Sequence, residues 1–169
     1  MATILLGVGG GILMASCRGT WGETLLKSLS TLLLSVPSFW IALFLITIFA
    51  EQLHILPTSG LEHGVRSLIL PTIALASANI GATSRLTQAN ILTELGQQYI
   101  IAANAKGLSQ RAVMIRHAFR NSLIPIITLV GNYFGGILGG STIIENIFSI
   151  PGLGSYVLSA IQNLSLIHI

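Results

Sequence analysis

Apolar residues gather in long runs that carry no charge, and the charged residues fall in the stretches between them. The first run, residues 1–17, ends at Arg18, and Ser28 to Ala50, Ser67 to Ser84 and Ser122 to Ile144 are three more. A helix that crosses a bilayer needs about 20 predominantly apolar residues. The last three runs therefore predict complete spans, while the first is slightly short and reads as a partial helix. Past Gly154 a final span barely starts. The expected fold is an all-α polytopic membrane protein with three complete transmembrane helices and a partial helix at each end, forming one domain over residues 1–163.

The runs differ in what they carry. Pro37 sits near the middle of Ser28 to Ala50, where a missing N–H kinks a helix and Ser35 is placed to help satisfy the freed carbonyls. Ser67 to Ser84 carries Thr72, Ser77, Asn79, Thr83 and Ser84. Polar residues inside a span face other helices or an aqueous cavity, because hydrocarbon leaves their hydrogen bonds unmet, and Ser77, Asn79 and Thr83 are the candidates for lining a pathway. In Ser122 to Ile144, Gly131, Gly135 and Gly139 recur every four residues, with Gly136 and Gly140 beside them, which predicts a face for close helix packing. A neighbouring span or a partner subunit would cover it. Gly7 and Gly9 to Gly11 are read in the same way, since no Walker lysine follows them.

One long segment is basic and of mixed polarity: Tyr99 to Pro125. Tyr99, Ala102, Ala103 and Lys106 fall at helical spacing, and small alanines on such a face admit a close neighbour. Gly107 suits the left-handed residue that ends a helix, and Ser109 is a plausible N-cap for a second helix running to about Arg120. The segment reads as helix, tight turn and helix. Lys106, Arg111, Arg116 and Arg120 keep it out of hydrocarbon, and the polar Ser67 to Ser84 span is expected to run on past Arg85 and Glu94 into it.

Composition narrows the function classes. With 52% hydrophobic and 8% charged residues and a mean hydropathy of +0.82, the chain is far from the roughly 25% charged residues of soluble domains, and lipid is its expected surroundings. A net charge of +3 could suggest nucleic acid, but the basic residues are sorted by segment and come without stacking aromatics, so no nucleic-acid partner is expected. The single cysteine, Cys17, permits no intrachain disulfide. His54, Glu62 and His63 share a solvated loop with no helical spacing to converge them, and no metal site or other cofactor is expected. Neither HExxH nor GxSxG is present, and no pair of acids lies within a span, which weighs against an intramembrane enzyme. A passive channel or scaffold would need the spans but no polar loop of this kind.

The small-residue helix, Gly107 a few residues on, and then His117, Ala118, Phe119, Arg120, Asn121 and Pro125 together resemble the EAA loop of ABC importer permeases, in the dipeptide, oligopeptide and nickel group. The acidic residue that names the motif would fall on Ile101, which leaves Ala102, Ala103 and Gly107 in register. The phrases Ser35, Val36, Pro37, Ser38, Phe39, Trp40 and Ile143, Ile144, Glu145, Asn146, Ile147, Phe148, followed by Pro151, Gly152 and Gly154, resemble the same group, the second in a form similar to its nickel permeases. The resemblance covers nearly the whole chain. It implies a permease subunit, not itself an enzyme, in the cytoplasmic (inner) membrane of a bacterium or archaeon. Its partners would be nucleotide-binding ATPase subunits, a second permease subunit and an extracytoplasmic substrate-binding protein, and its cargo peptides, glutathione-like compounds, nickel or metal chelates. The implied docking residues for the ATPase are Tyr99, Ala102, Ala103, Lys106, Gly107, Ser109, His117, Arg120 and Asn121.

Charge sets an orientation without the family. Of the eight Lys and Arg residues, Arg18, Lys27, Arg85, Lys106, Arg111, Arg116 and Arg120 fall on one side if residues 18–28 and 85–121 face the cytoplasm, leaving Arg66 outside. Glu145 reads as an interfacial or capping acid. Residues 164–169, LSLIHI, are the peptide that the sequencing-adapter sequence CTGTCTCTTATACACATC encodes in frame, so they are expected to be a non-native tail after Asn163, and His168 is set aside.

Overall fold

The computed structural model describes residues 2–138 and 141–162, and among these every regular element is helical. Gly139, Gly140 and the 164–169 tail lie outside the described residues. The helices are α1 (Ala2–Ser16), α2 (Trp21–Ser35), α3 (Ser38–Leu45), α4 (Ile69–Leu95), α5 (Gln98–Ala105), α6 (Gln110–Ala112), α7 (Arg120–Leu138), α8 (Thr142–Ile147) and α9 (Leu153–Gln162). By length and composition, Gly64–Leu95 and Gln110–Tyr133 can each cross a membrane, and Trp21–Ser35 with Ser38–Gln52 makes a third crossing if that broken pair is one span. The chain forms two compact units, the described residues of Met1–Ser35 with Asn79–Asn132, and those of Val36–Ala78 with Tyr133–Ile169.

In the first unit, α1 and α4 pack through small residues. A Cβ added at Gly11 would lie 2.4 Å from Thr87 Cβ and 2.6 Å from the Ser84 carbonyl oxygen, and one at Gly7 would lie 2.7 Å from Thr83 Cβ. Of the glycines read as packing positions in α1, Gly7, Gly10 and Gly11 meet the polar face of α4, and Gly9 does not. Gly81 does the same against α2, where a Cβ would come within 2.6 Å of the Ser30 carbonyl oxygen. Backbone contact at this range is available only to glycine, and in lipid such close packing replaces the hydrophobic drive between helices.

The start of α2 departs from the hydropathy reading. Residues 18–27 fall between the apolar runs, yet the helix already begins at Trp21. The charges at its start are satisfied within the protein: Glu23 accepts from Gly19 N–H at 2.6 Å, pairs with Lys27 at 2.7 Å one turn on and accepts from Gln88 Nε2 of α4 at 2.7 Å. At Pro37 the span is bent and broken, as expected of a proline there, with Pro37 immediately preceding α3, where its missing N–H costs nothing. Ser35 Oγ donates to the Thr31 carbonyl at 2.9 Å.

In the second unit, Ala42, Ala50, Leu70, Ala74, Ile144 and Phe148 form the buried cluster. Hydropathy predicted one span from Ser122 to Ile144. The non-helical backbone of Ser141 instead interrupts that stretch, and α8 holds Glu145 in its first turn. Glu145 has the capping role anticipated for it: its carboxylate accepts from Ser155 N–H at 2.7 Å, in the first turn of α9, where four backbone donors lack helical partners. A Cβ at Gly152 would lie 2.3 Å from the Glu145 carboxyl carbon, so glycine there keeps the cap in place.

Replacing Gly11 with alanine forces a shift against Thr87 and the α4 backbone, at a cost of about 1–3 kcal/mol. Gly9, whose added Cβ would meet nothing within 4 Å, should accept alanine with no loss and a small gain in helix propensity. Melting temperatures of G11A and G9A in detergent check the contrast, and equal melting would remove the close-packing account.

Candidate functional site

The segment after α4 is built as the local sequence dictates. Gly96 and Gln97 turn the chain, with Gly96 N–H and Gln97 N–H bonded to the Thr93 and Glu94 carbonyls at 3.1 and 3.0 Å. Helix α5 follows. It ends at Gly107, which takes φ +79°, a conformation that costs other residues roughly 1 kcal/mol or more, and Gly107 N–H closes the turn on the Asn104 carbonyl at 2.9 Å. Ser109 is the N-cap of α6, its hydroxyl accepting from Ala112 N–H at 3.3 Å. Gln110 Nε2 donates to Asn104 Oδ1 across the turn at 3.4 Å.

The second limb is longer than expected. The helix beginning at Gln110 does not stop near Arg120. It passes through wider π-helical turns over Val113–Phe119 and continues as α7, because nothing between Ser109 and Pro125 breaks it. Ser122, read as the start of the next span, lies inside this continuous helix with its hydroxyl donating to the Ala118 carbonyl at 2.8 Å.

The inner side of this unit is apolar. Ala15, Ile91, Ile100, Ala103, Val113 and Ala118 form a buried cluster, with Met114 and Phe119 packed against it. Ala103 is therefore turned inward, away from Ala102 and Lys106, which are exposed together with Gly107, Ser109 and Arg120. His117 is half-buried. The outer face is left with Tyr99, Ala102 and Lys106.

Tyr99 does more than line that face. Its hydroxyl donates to the Glu94 carboxylate of α4 and accepts from Asn121 Nδ2 of α7 at 2.8 Å. Glu94 was not singled out in the sequence, and no helical spacing could have done so: it lies five residues before Tyr99 with the Gly96 turn between them. Asn121 lies 22 residues away. Burial, then the hydrogen bond and charge of Glu94, push the Tyr99 phenol above its ordinary value of 10.0, with Asn121 opposing.

The pathway candidates are placed differently. Ser77 is buried, its hydroxyl donating to the Ala74 carbonyl at 2.8 Å, and Asn79 is half-buried. Thr83 is 1% exposed, against Gly7, and its hydroxyl has no partner, as is true of Thr87 one turn on. On α7, a Cβ at Gly131, Gly135 or Gly136 would meet nothing within 4 Å, so no described residue covers these glycines. Among the described residues no group of three or more His, Cys, Asp or Glu side chains is arranged to hold a metal ion.

A family model described as "Binding-protein-dependent transport system inner membrane component" matches residues 7–167. A protein of Brucella abortus (strain 2308), provisionally named a peptide transport system permease protein, is 39% identical over 166 residues, covering 94% of this chain and 53% of that protein. The glutathione transport system permease protein GsiC of Escherichia coli (strain K12) is 33% identical over 159 residues, covering 94% of this chain and 52% of GsiC. The chain thus spans about half the length of these relatives.

Because the Tyr99 phenol is held above its ordinary value, it remains a donor to Glu94 at neutral pH, and the stability it contributes is lost as pH rises through its raised pKa. Ultraviolet difference titration of the protein against Y99F should show Tyr99 titrating above 10. Glu94→Gln should move it back toward 10, and Asn121→Ala should raise it further. A Tyr99 that titrates at or below 10 contradicts the network.

Proposed function

Because the chain belongs to the family of binding-protein-dependent transport system inner membrane components, we propose that it is the permease part of an importer whose inward transport is driven by separate ATPase subunits docking on the α5 to α6 unit. The observation that carries this reading is the division of α5 into two sides. Ile100 and Ala103 are held in the apolar cluster, while Ala102 and Lys106 stand exposed beside the Gly107 turn. A helix so anchored on one side, with a small residue and a cation on the other, offers a partner close backbone approach and a charge to pair with. Arg120 on the adjoining limb, exposed as are Arg111 and Arg116, adds to the positive charge.

Nucleotide-dependent movement of this unit would shift a population between inward-open and outward-open forms. Ser77 and Thr83 are buried, so a pathway along α4 requires its neighbours to draw apart from it. The close contacts of Gly7 and Gly11 with α4 are where α1 would separate. The proposed cargo is peptides or glutathione-like compounds, by analogy with the transport systems for which the relatives are named; nickel or a metal chelate remains within the same proposal on the wording of residues 143–148. A second permease subunit and an extracytoplasmic binding protein complete the proposed assembly in the inner membrane of a bacterium, with α7's uncovered Gly131 a surface the second subunit would meet.

Co-purification with a tagged candidate ATPase tests this reading. The unaltered permease should retain the ATPase, and Ala102→Trp, which fills the exposed small position, should lower retention about tenfold without changing the melting temperature. Absence of any retained ATPase, or full retention by A102W, would contradict docking on α5.

A further inference from the structure

Helix α5 is joined to its neighbours by two kinds of contact. Ile100 and Ala103 pack in the apolar cluster, a contact without direction, whereas the Tyr99 hydroxyl makes directed bonds to Glu94 and to Asn121 Nδ2. Glu94 stands in the last turn of α4, Tyr99 in the first turn of α5 and Asn121 in the first turn of α7. One oxygen therefore ties the start of α5 to the two long helices on either side of it in sequence. The chain is polarised in one sense, amide to phenol to carboxylate, so each bond strengthens the next.

We propose that Tyr99 is a positioning residue, a latch whose hydroxyl makes α4 and α7 follow α5 when a partner displaces it. The latch rests on the reading of α5 as the ATPase-docking helix. Without it, the Gly96 and Gln97 turn acts as a hinge and apolar packing alone follows the motion. With it, displacement of α5 carries Glu94 and Asn121 together. The aromatic ring is not the active part. Phenylalanine at position 99 keeps the ring and loses both bonds, and it leaves Ala102 and Lys106 as they are.

The test uses the complex of permease and ATPase with Cys17→Ser and spin labels at two exposed positions, Arg85 on α4 and Ile124 on α7. Pulsed dipolar spectroscopy reads the distance between them with and without ATP and vanadate. The unaltered complex should show a nucleotide-dependent change, and Glu94→Ala, which removes the acceptor of the Tyr99 hydroxyl and lies outside the implied docking residues, should shrink it about fivefold or more while the ATPase stays bound, as should Y99F in complexes that hold the ATPase. Glu94→Gln, which keeps an acceptor, should retain most of the change. The pair Y99F with Asn121→Leu should be no worse than Y99F alone, as expected for residues acting as one unit. A full change in Y99F or in Glu94→Ala, no change in the unaltered complex, or loss of the ATPase from Glu94→Ala each overturns the latch. If the unaltered permease binds no ATPase, the docking reading fails first and the latch falls with it.

Discussion

Close approach at small residues is the constraint on which this structure depends. Between helices in lipid there is little hydrophobic gain to be had, because hydrocarbon is as apolar as a leucine side chain, and packing at short range has to take its place. Gly7 and Gly11 bring α1 to van der Waals range of Thr83, Ser84 and Thr87. Gly81 brings α4 onto the backbone of α2. The same logic reappears where the chain turns polar, since Ala15, Ala103 and Ala118 let the loop helices sit on Ile91, Ile100 and Val113. A docking helix at the surface must be seated this firmly if a force on it is to reach a span.

A second consequence concerns the polar face of α4. Its Thr83 and Thr87 hydroxyls are buried without partners, which is costly in a low-dielectric setting unless another state of the protein satisfies them. They lie opposite the glycines of α1, at the contact that would have to open for α4 to meet water. The arrangement fits a helix pair that is tight in one state and parted in another, which is what alternating access demands of some pair of spans.

The parts of this picture that were legible in the sequence are the ones set by neighbouring residues. The Gly107 turn and the Ser109 cap depend on conformations that a few adjacent positions determine, and both stand where expected. The long apolar runs likewise foretold helices long enough to cross a membrane. Hydropathy misplaced the start of α2 because it counts Glu23 and Lys27 as charges, although they neutralise each other one turn apart. It also missed the break at Ser141, because no charge falls between Ser122 and Ile144 to mark one. Contacts across distance were invisible. Nothing local joins Tyr99 to Asn121, and helical spacing placed Ala103 with Ala102 when the apolar cluster draws it to the opposite side.

The central claim is that α5 presents one side to an ATPase while the other is sealed into the permease. Cysteine cross-linking in membranes, in a Cys17→Ser background, tests it most directly by comparing Ala102→Cys with Ala103→Cys against an ATPase subunit bearing a surface thiol. The account predicts a cross-link from position 102 and none from position 103. A cross-link from position 103, or from neither, would contradict it.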